Sequence, residues 1–174
     1  MFELGSHGLV SIDSVGVPIL TTTTTSVRRP ATKHKAEHLL SLIRVLVVDD
    51  LERWRRQVRQ LLKVRPELQV IGEASDGSEA VQKADELKPD LIVLDIGLPK
   101  LNGIEVARRI GQLFPGSKIL FLSQNNDPDI VQEALGTGAL GYVLKMNALG
   151  ELLPAVEAVL RGKEFVSSGL KSKN

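Results

Sequence analysis

The chain has 174 residues and a formal net charge of +1, which suits one domain with an appendage and offers no bulk attraction to nucleic acid or membrane surfaces. It contains no cysteine, which excludes disulfides, thiol catalysis and cysteine-ligated zinc. Its three histidines, His7, His34 and His38, all precede residue 44, so any chemistry beyond that point has to come from Asp, Glu, Ser, Lys and the backbone.

Residues 1–43 differ from the remainder. Thr21 to Thr25 is a homopolymer, Arg28-Arg29-Pro30 follows, and apolar periodicity is poor. The segment is read as a flexible N-terminal extension, with a short helix expected over residues 35–41. Ser11, Asp13, Ser14, Gly16 and Pro18 interrupt its apolar stretch, which argues against a signal peptide. No apolar run approaches the ~20 residues of a membrane span. A folded domain is expected over residues 44–164, followed by a C-terminal tail over 165–174.

Val45 to Val48 is a short apolar run and reads as a buried strand ending in Asp49-Asp50. A helix is expected over 51–63, with Trp54, Val58, Leu61 and Leu62 on one face. Residues 68–74 form the second strand, and Asp76-Gly77-Ser78 reads as turn and cap before a helix over 79–87, closed ahead of Pro89. Leu91 to Leu94 is a third strand with Asp95 at its C-terminal end. Gly97 and Pro99 break it, and Asn102-Gly103 opens a helix over 104–114 with Ile104, Ala107, Ile110 and Leu113 inward. The fourth strand covers 118–122. Asp127-Pro128 marks a helix start, with Asp at the N-cap and Pro at the first helical position, running to about Leu135. The fifth strand covers 140–144. Asn147 is the expected cap of a last helix carrying Leu149, Leu152, Leu153, Val156, Val159 and Leu160, which Pro154 either kinks or shortens. Five strand–helix units in succession imply an α/β domain: a parallel sheet with right-handed crossovers and helices on both faces.

Four strands end in polar residues: Asp49-Asp50, Asp95, Ser123 and Lys145. In an open parallel sheet the C-terminal strand ends form one edge, where ligands bind at the switch in strand order. Any one of these residues alone reads as a strand-end cap, a turn residue or a solvated charge. Together, three carboxylates would crowd one pocket and repel one another, which a divalent cation with oxygen ligands resolves. Mg²⁺ suits such a pocket because it takes one or two carboxylates, keeps waters and accepts phosphate oxygens. Lys145 brings a mobile positive charge and Ser123 a hydroxyl donor. Arg53, Arg55, Arg56 and Arg59 read either as a solvated helix face or as a docking or nucleic-acid patch.

In combination these residues resemble the receiver domain of two-component response regulators, over about residues 44–167. The motifs are Val48-Asp49-Asp50, then Leu94-Asp95-x-x-Leu98-Pro99-x-x-Asn102-Gly103, then Ser123, then Gly141-Tyr142-x-x-Lys145. The resemblance implies a flavodoxin-like (βα)5 fold, a doubly wound five-stranded parallel sheet of order 2-1-3-4-5. It implies that Asp95 accepts a phosphoryl group from a sensor histidine kinase or phosphotransfer protein. Asp50, Asp95 and the Gly97 carbonyl would hold Mg²⁺, with Asp49 acting through water. Lys145 and Ser123 would each bond a phosphoryl oxygen. Tyr142 is either an aromatic switch that moves with Ser123 or a static, half-buried ring. A homodimer through helix four, strand five and helix five is the implied mode of partner change, in a cytoplasmic protein that is no turnover enzyme.

Departures from the family pattern matter. Met146 follows Lys145 where many members have proline, a variation that looks like the receivers of helix-turn-helix transcription factors. Only 12 residues follow Gly162, so no DNA-binding domain is expected in this chain. Gln124 is bulkier than the residue often found beside Ser123. Three rivals to the switch are open. An aspartyl-phosphate phosphatase would want an acid at Gly97. A flavin or nucleotide carrier would want a phosphate-cradling loop where Asp49-Asp50 stands. A receiver that binds partners without phosphorylation would have no need of the acidic set.

Overall fold

The computed structural model describes residues 42–170. The expected extension therefore lies outside the described residues except at its last two positions, where Ile43 already belongs to the first strand.

β1 (Ile43–Val48) leads to α1 (Glu52–Leu62), β2 (Leu68–Ala74), α2 (Gly77–Leu87), β3 (Leu91–Leu94), α3 (Gly103–Leu113), β4 (Lys118–Ser123), α4 (Pro128–Leu135), β5 (Gly141–Leu144), α5 (Ala148–Leu160) and β6 (Phe165–Val166). All neighbouring strands pair parallel, in the order β2-β1-β3-β4-β5-β6. The continuous apolar runs follow from burial on both faces. In β1, Val45 and Val47 face one core layer with Val58 and Leu62 of α1 and Leu152 and Val156 of α5. Leu46 and Val48 face the other, with Ala80 and Ala84 of α2, Ile104 and Ile110 of α3, and Val131 of α4.

The helix starts use local side-chain chemistry. Asp76 accepts from the Glu79 amide, Asn102 from the Glu105 amide and Asp127 from the Asp129 amide, with Pro128 in the first turn of α4. Pro154 sits inside a continuous α5, and both it and Gly150, whose carbonyl it leaves free, are exposed. The lost hydrogen bond therefore falls on the solvent side.

Four expectations need correction. The sheet has six strands, because Phe165 donates to the Leu140 carbonyl and Ser167 to the Tyr142 carbonyl, both at 2.9 Å, adding β6 outside β5. Leu113 is 60% exposed, since it lies one turn beyond Ile110 and Phe114 packs on the core in its place. Leu149, in the first turn of α5, is 79% exposed. Asn147 makes no side-chain cap on α5; its amide donates to Ser167 Oγ at 3.2 Å instead. No helix among the described residues is long and apolar enough to cross a membrane.

Candidate functional site

β1 and β3 are neighbours, with Val48 opposite Leu94. The next residue on each is Asp49 and Asp95. The ladder continues one step beyond the strands: the Asp95 amide donates to the Val48 carbonyl at 2.9 Å and the Asp49 amide to the Ala74 carbonyl at 3.1 Å. From there the chain parts to opposite faces, into α1 and toward α3. The parting opens a cleft of about 280 Å³ lined by Asp50, Asp95, Gly97, Ser123, Gln124 and Lys145 among others.

Carboxylate oxygens of Asp49, Asp50 and Asp95 all lie within 4.8 Å of one another. Asp49 and Asp95 are buried and Asp50 is exposed. Lys145 reaches into this group from the end of β5. Its Nζ stands 2.6 Å from Asp49 Oδ2 and 2.9 Å from Asp95 Oδ2, and its side chain is 3% exposed. The other Asp49 oxygen accepts from the Leu51 amide at 3.0 Å, and the other Asp95 oxygen from the Ile96 amide at 2.8 Å. Burial pushes the Asp49 carboxyl above its ordinary pKa, against the opposing pull of Lys145 and the Leu51 amide.

Ser123 is buried at the end of β4, and its Oγ accepts from the Asn125 amide at 3.2 Å. Tyr142 is fully buried, and its hydroxyl donates to the Asn125 carbonyl at 2.8 Å. Burial raises the phenol's pKa, partly offset by the Ser123 hydroxyl. Gly97 lies beside the acids, where an added Cβ would stand 3.7 Å from Asp95 Oδ2.

The fold thus brings Asp49, Asp50, Asp95, Ser123, Lys145 and Gly97 to one edge. Tyr142 sits behind that edge, fully buried rather than half-buried and tied to the loop that follows Ser123. Of the α1 arginines, Arg53 and Arg56 are exposed, as a solvated helix face requires, while the other two are tied down. Arg55 and Arg59 pair with Glu73 and Glu52, and Arg55 Nη1 donates to the Asp49 carbonyl at 2.8 Å. Arg55 is therefore a strut under the acidic loop. The Trp54 ring, read from sequence as part of the helix's apolar face, lies with its centroid 5.1 Å from Lys145 Nζ. The only sequence signal for either residue is position, in the first turn of the helix that follows the two acids. Three clustered carboxylates with hard oxygen donors, one of them exposed, fit a divalent cation of the magnesium type better than a soft metal.

Comparison with known proteins agrees with this geometry. The chain is 36% identical over 124 residues to the transcriptional regulatory protein DegU of Brevibacillus brevis, covering 71% of this chain and 52% of that protein. It is 38% identical over 132 residues to the transcriptional regulatory protein LiaR of Bacillus subtilis, covering 76% and 63%. The chain thus spans between half and two thirds of the length of these curated relatives. Among solved structures it resembles a two-component response regulator of the LuxR family from Aurantimonas sp. SI85-9A1, with a TM-score of 0.71 and 35% identity, covering 75% of this chain and 93% of that one. It also resembles the isolated REC domain of RcsB from Salmonella enterica serovar Typhimurium, solved with the phosphomimetic BeF3⁻, with a TM-score of 0.70 and 27% identity, covering 74% and 95%. Residues 45–157 match the family model of the response regulator receiver domain, and the chain belongs to that family.

Proposed function

We propose that this receiver domain is a phosphorylation-operated switch, with Asp95 as the acceptor of a phosphoryl group from a histidine of a sensor kinase or phosphotransfer protein. An Asp95 oxygen attacks phosphorus. The O–P bond forms as the donor's N–P bond breaks, and the imidazole keeps the electron pair and takes a proton from water. Such transfer needs positioning and charge neutralisation more than covalent assistance. The observation that carries the reading is the meeting of three carboxylates within 4.8 Å at one sheet edge, with the Lys145 ammonium 2.9 Å from Asp95.

Mg²⁺ bound to Asp50, Asp95 and the Gly97 carbonyl, with Asp49 through water, would neutralise charge on the transferring group. Lys145 gives up its carboxylate partner for a phosphoryl oxygen, and the Ser123 hydroxyl turns to donate to another. Because Tyr142 and Ser123 meet at Asn125, movement of Ser123 passes into β5 and the start of α4. Partner exchange, self-association included, then takes place on the face of α4, β5 and α5. Control of transcription, which the relatives' names carry, is the process we assign to the switch. Gly97 leaves no general acid two residues after Asp95, which favours a switch over a phosphatase. The complete acidic set favours phosphorylation over binding without it.

Incubation with Mg²⁺ and acetyl phosphate, followed by intact mass measurement, tests the assignment. The expected result is a gain of a single phosphoryl group, absent in Asp95→Asn. A gain that survives in Asp95→Asn places the acceptor elsewhere, and continuous turnover of a phosphate ester favours the enzyme.

A further inference from the structure

A buried ammonium has three N–H donors to satisfy. Lys145 has two carboxylate partners, Asp49 and Asp95, and its side chain is 3% exposed, so bulk water is not the third. The remaining electron-rich neighbour is the ring of Trp54, whose centroid lies 5.1 Å from Nζ. This is cation–π distance, and indole is the strongest of the aromatic faces for it.

A second observation concerns the other end of the same ring. Trp54 Nε1 is buried and has no hydrogen-bond partner among the described residues. A buried donor without a partner is costly, and a leucine or phenylalanine would fill this place without it. Packing alone therefore does not account for an indole here. A third observation is space: a cavity of about 290 Å³, lined by Trp54, Gln124, Leu144, Lys145 and Met146, adjoins the contact. Nothing else in that lining carries charge or an aromatic face, so without the ring the lysine stem has room to turn away from the acids.

We infer that Trp54 is a positioning residue for phosphoryl transfer: its ring face holds the Lys145 ammonium over Asp49 and Asp95, placed to follow negative charge onto the phosphoryl group. This rests on the reading of Asp95 as acceptor. The ring keeps the cation desolvated and in place before and after it changes partners, so the reaction need not reorganise it.

The test compares wild type with Trp54→Phe, Trp54→Tyr and Trp54→Leu, with Trp54→Met replacing the leucine variant should that one not fold. Phosphorylation by acetyl phosphate is followed at saturating Mg²⁺ over a range of donor concentrations. In Trp54→Leu the limiting rate is expected to fall about tenfold. The half-saturating donor concentration and the Mg²⁺ affinity stay as in wild type, because Asp50 and Asp95 are untouched. Trp54→Phe and Trp54→Tyr retain the rate within about threefold. Equal rates in Trp54→Leu and wild type overturn the inference. So does a fall in Trp54→Phe as deep as in Trp54→Leu, which assigns the loss to volume and not to the ring.

A separate measurement reads the contact without any phosphodonor. The Lys145 ε-methylene proton resonances are expected to be shifted upfield by the ring in wild type and to return in Trp54→Leu. Absence of that shift in wild type removes the contact and the inference with it. A wild type that shows the shift yet takes no phosphoryl group sinks the acceptor reading, and the kinetic role along with it.

Discussion

Asp49 holds a charge that burial opposes. Its folded pKa lies above the ordinary 3.8, so protonation is favoured by folding. A group of this kind contributes stability that is full below its unfolded pKa and is lost as pH rises through the folded one. At neutral pH the ionised carboxylate is therefore a cost, and Lys145 keeps Asp95 as a partner without it. Asp49→Asn should melt about 3 °C above wild type at pH 7. The gap should close as pH falls through the raised folded value toward 3.8. Thermal denaturation across that range checks this, and a lower melting temperature at pH 7 would mean that the Lys145 pair outweighs burial. The acids and Lys145 were legible in the sequence because each is a polar residue that abruptly ends a buried apolar run. Arg55 and Trp54 were not. Helical periodicity assigns a residue to a face, and it says nothing of a lysine that arrives from β5 or of a carbonyl that the chain turns back to present.

At the scale of elements, the start of α3 is seated directly on the loop that follows Asp95. The Gly103 amide donates to the Ile96 carbonyl at 2.9 Å, and a Cβ added at Gly103 would lie 2.0 Å from the Asp95 carbonyl oxygen. That oxygen belongs to backbone and cannot step aside. Gly103→Ala should push α3 off the loop, cost about 2 kcal/mol in chemical denaturation and slow the phosphoryl transfer proposed for Asp95. Gly116→Ala, with nothing within 4 Å of the added carbon, should change neither. Equal behaviour of the two variants would show that α3 does not set the loop. Asn102-Gly103 was readable as a helix start from residue type alone, and so were Asp76 and Asp127-Pro128. Asn147 belongs to the same class of residue, yet its amide is drawn to Ser167 and leaves α5 uncapped. Local propensity proposes a cap, and a tertiary partner decides whether the side chain is free to serve as one.

Over the whole molecule, the topology brings together residues that the chain keeps far apart. The sequence of strands and helices was enough to expect a parallel sheet with its ligand edge at the strand ends, because buried strands, caps and breakers alternate in order. The sixth strand was not legible: two residues are too few to show alternation. What holds it is long-range. The Glu151 carboxylate accepts from the Ser167 hydroxyl, from the Ser168 hydroxyl at 2.7 Å and from the Ser168 amide at 3.2 Å, while the Leu144 amide donates to Ser167 Oγ at 3.2 Å. Truncation after Lys163 should therefore bare the edge of β5, cost about 3 kcal/mol and promote concentration-dependent association. Denaturation and sedimentation measure the two effects, and an unaltered, monomeric product would show that β6 is an ornament of the sheet.

Trp54 is the chain's one tryptophan. Light absorbed near 295 nm is therefore re-emitted from a single place, beside the ammonium and the acids. Any ion or group that rearranges those charges alters the colour or yield of that emission, so the domain carries its own optical probe and can be titrated without a label.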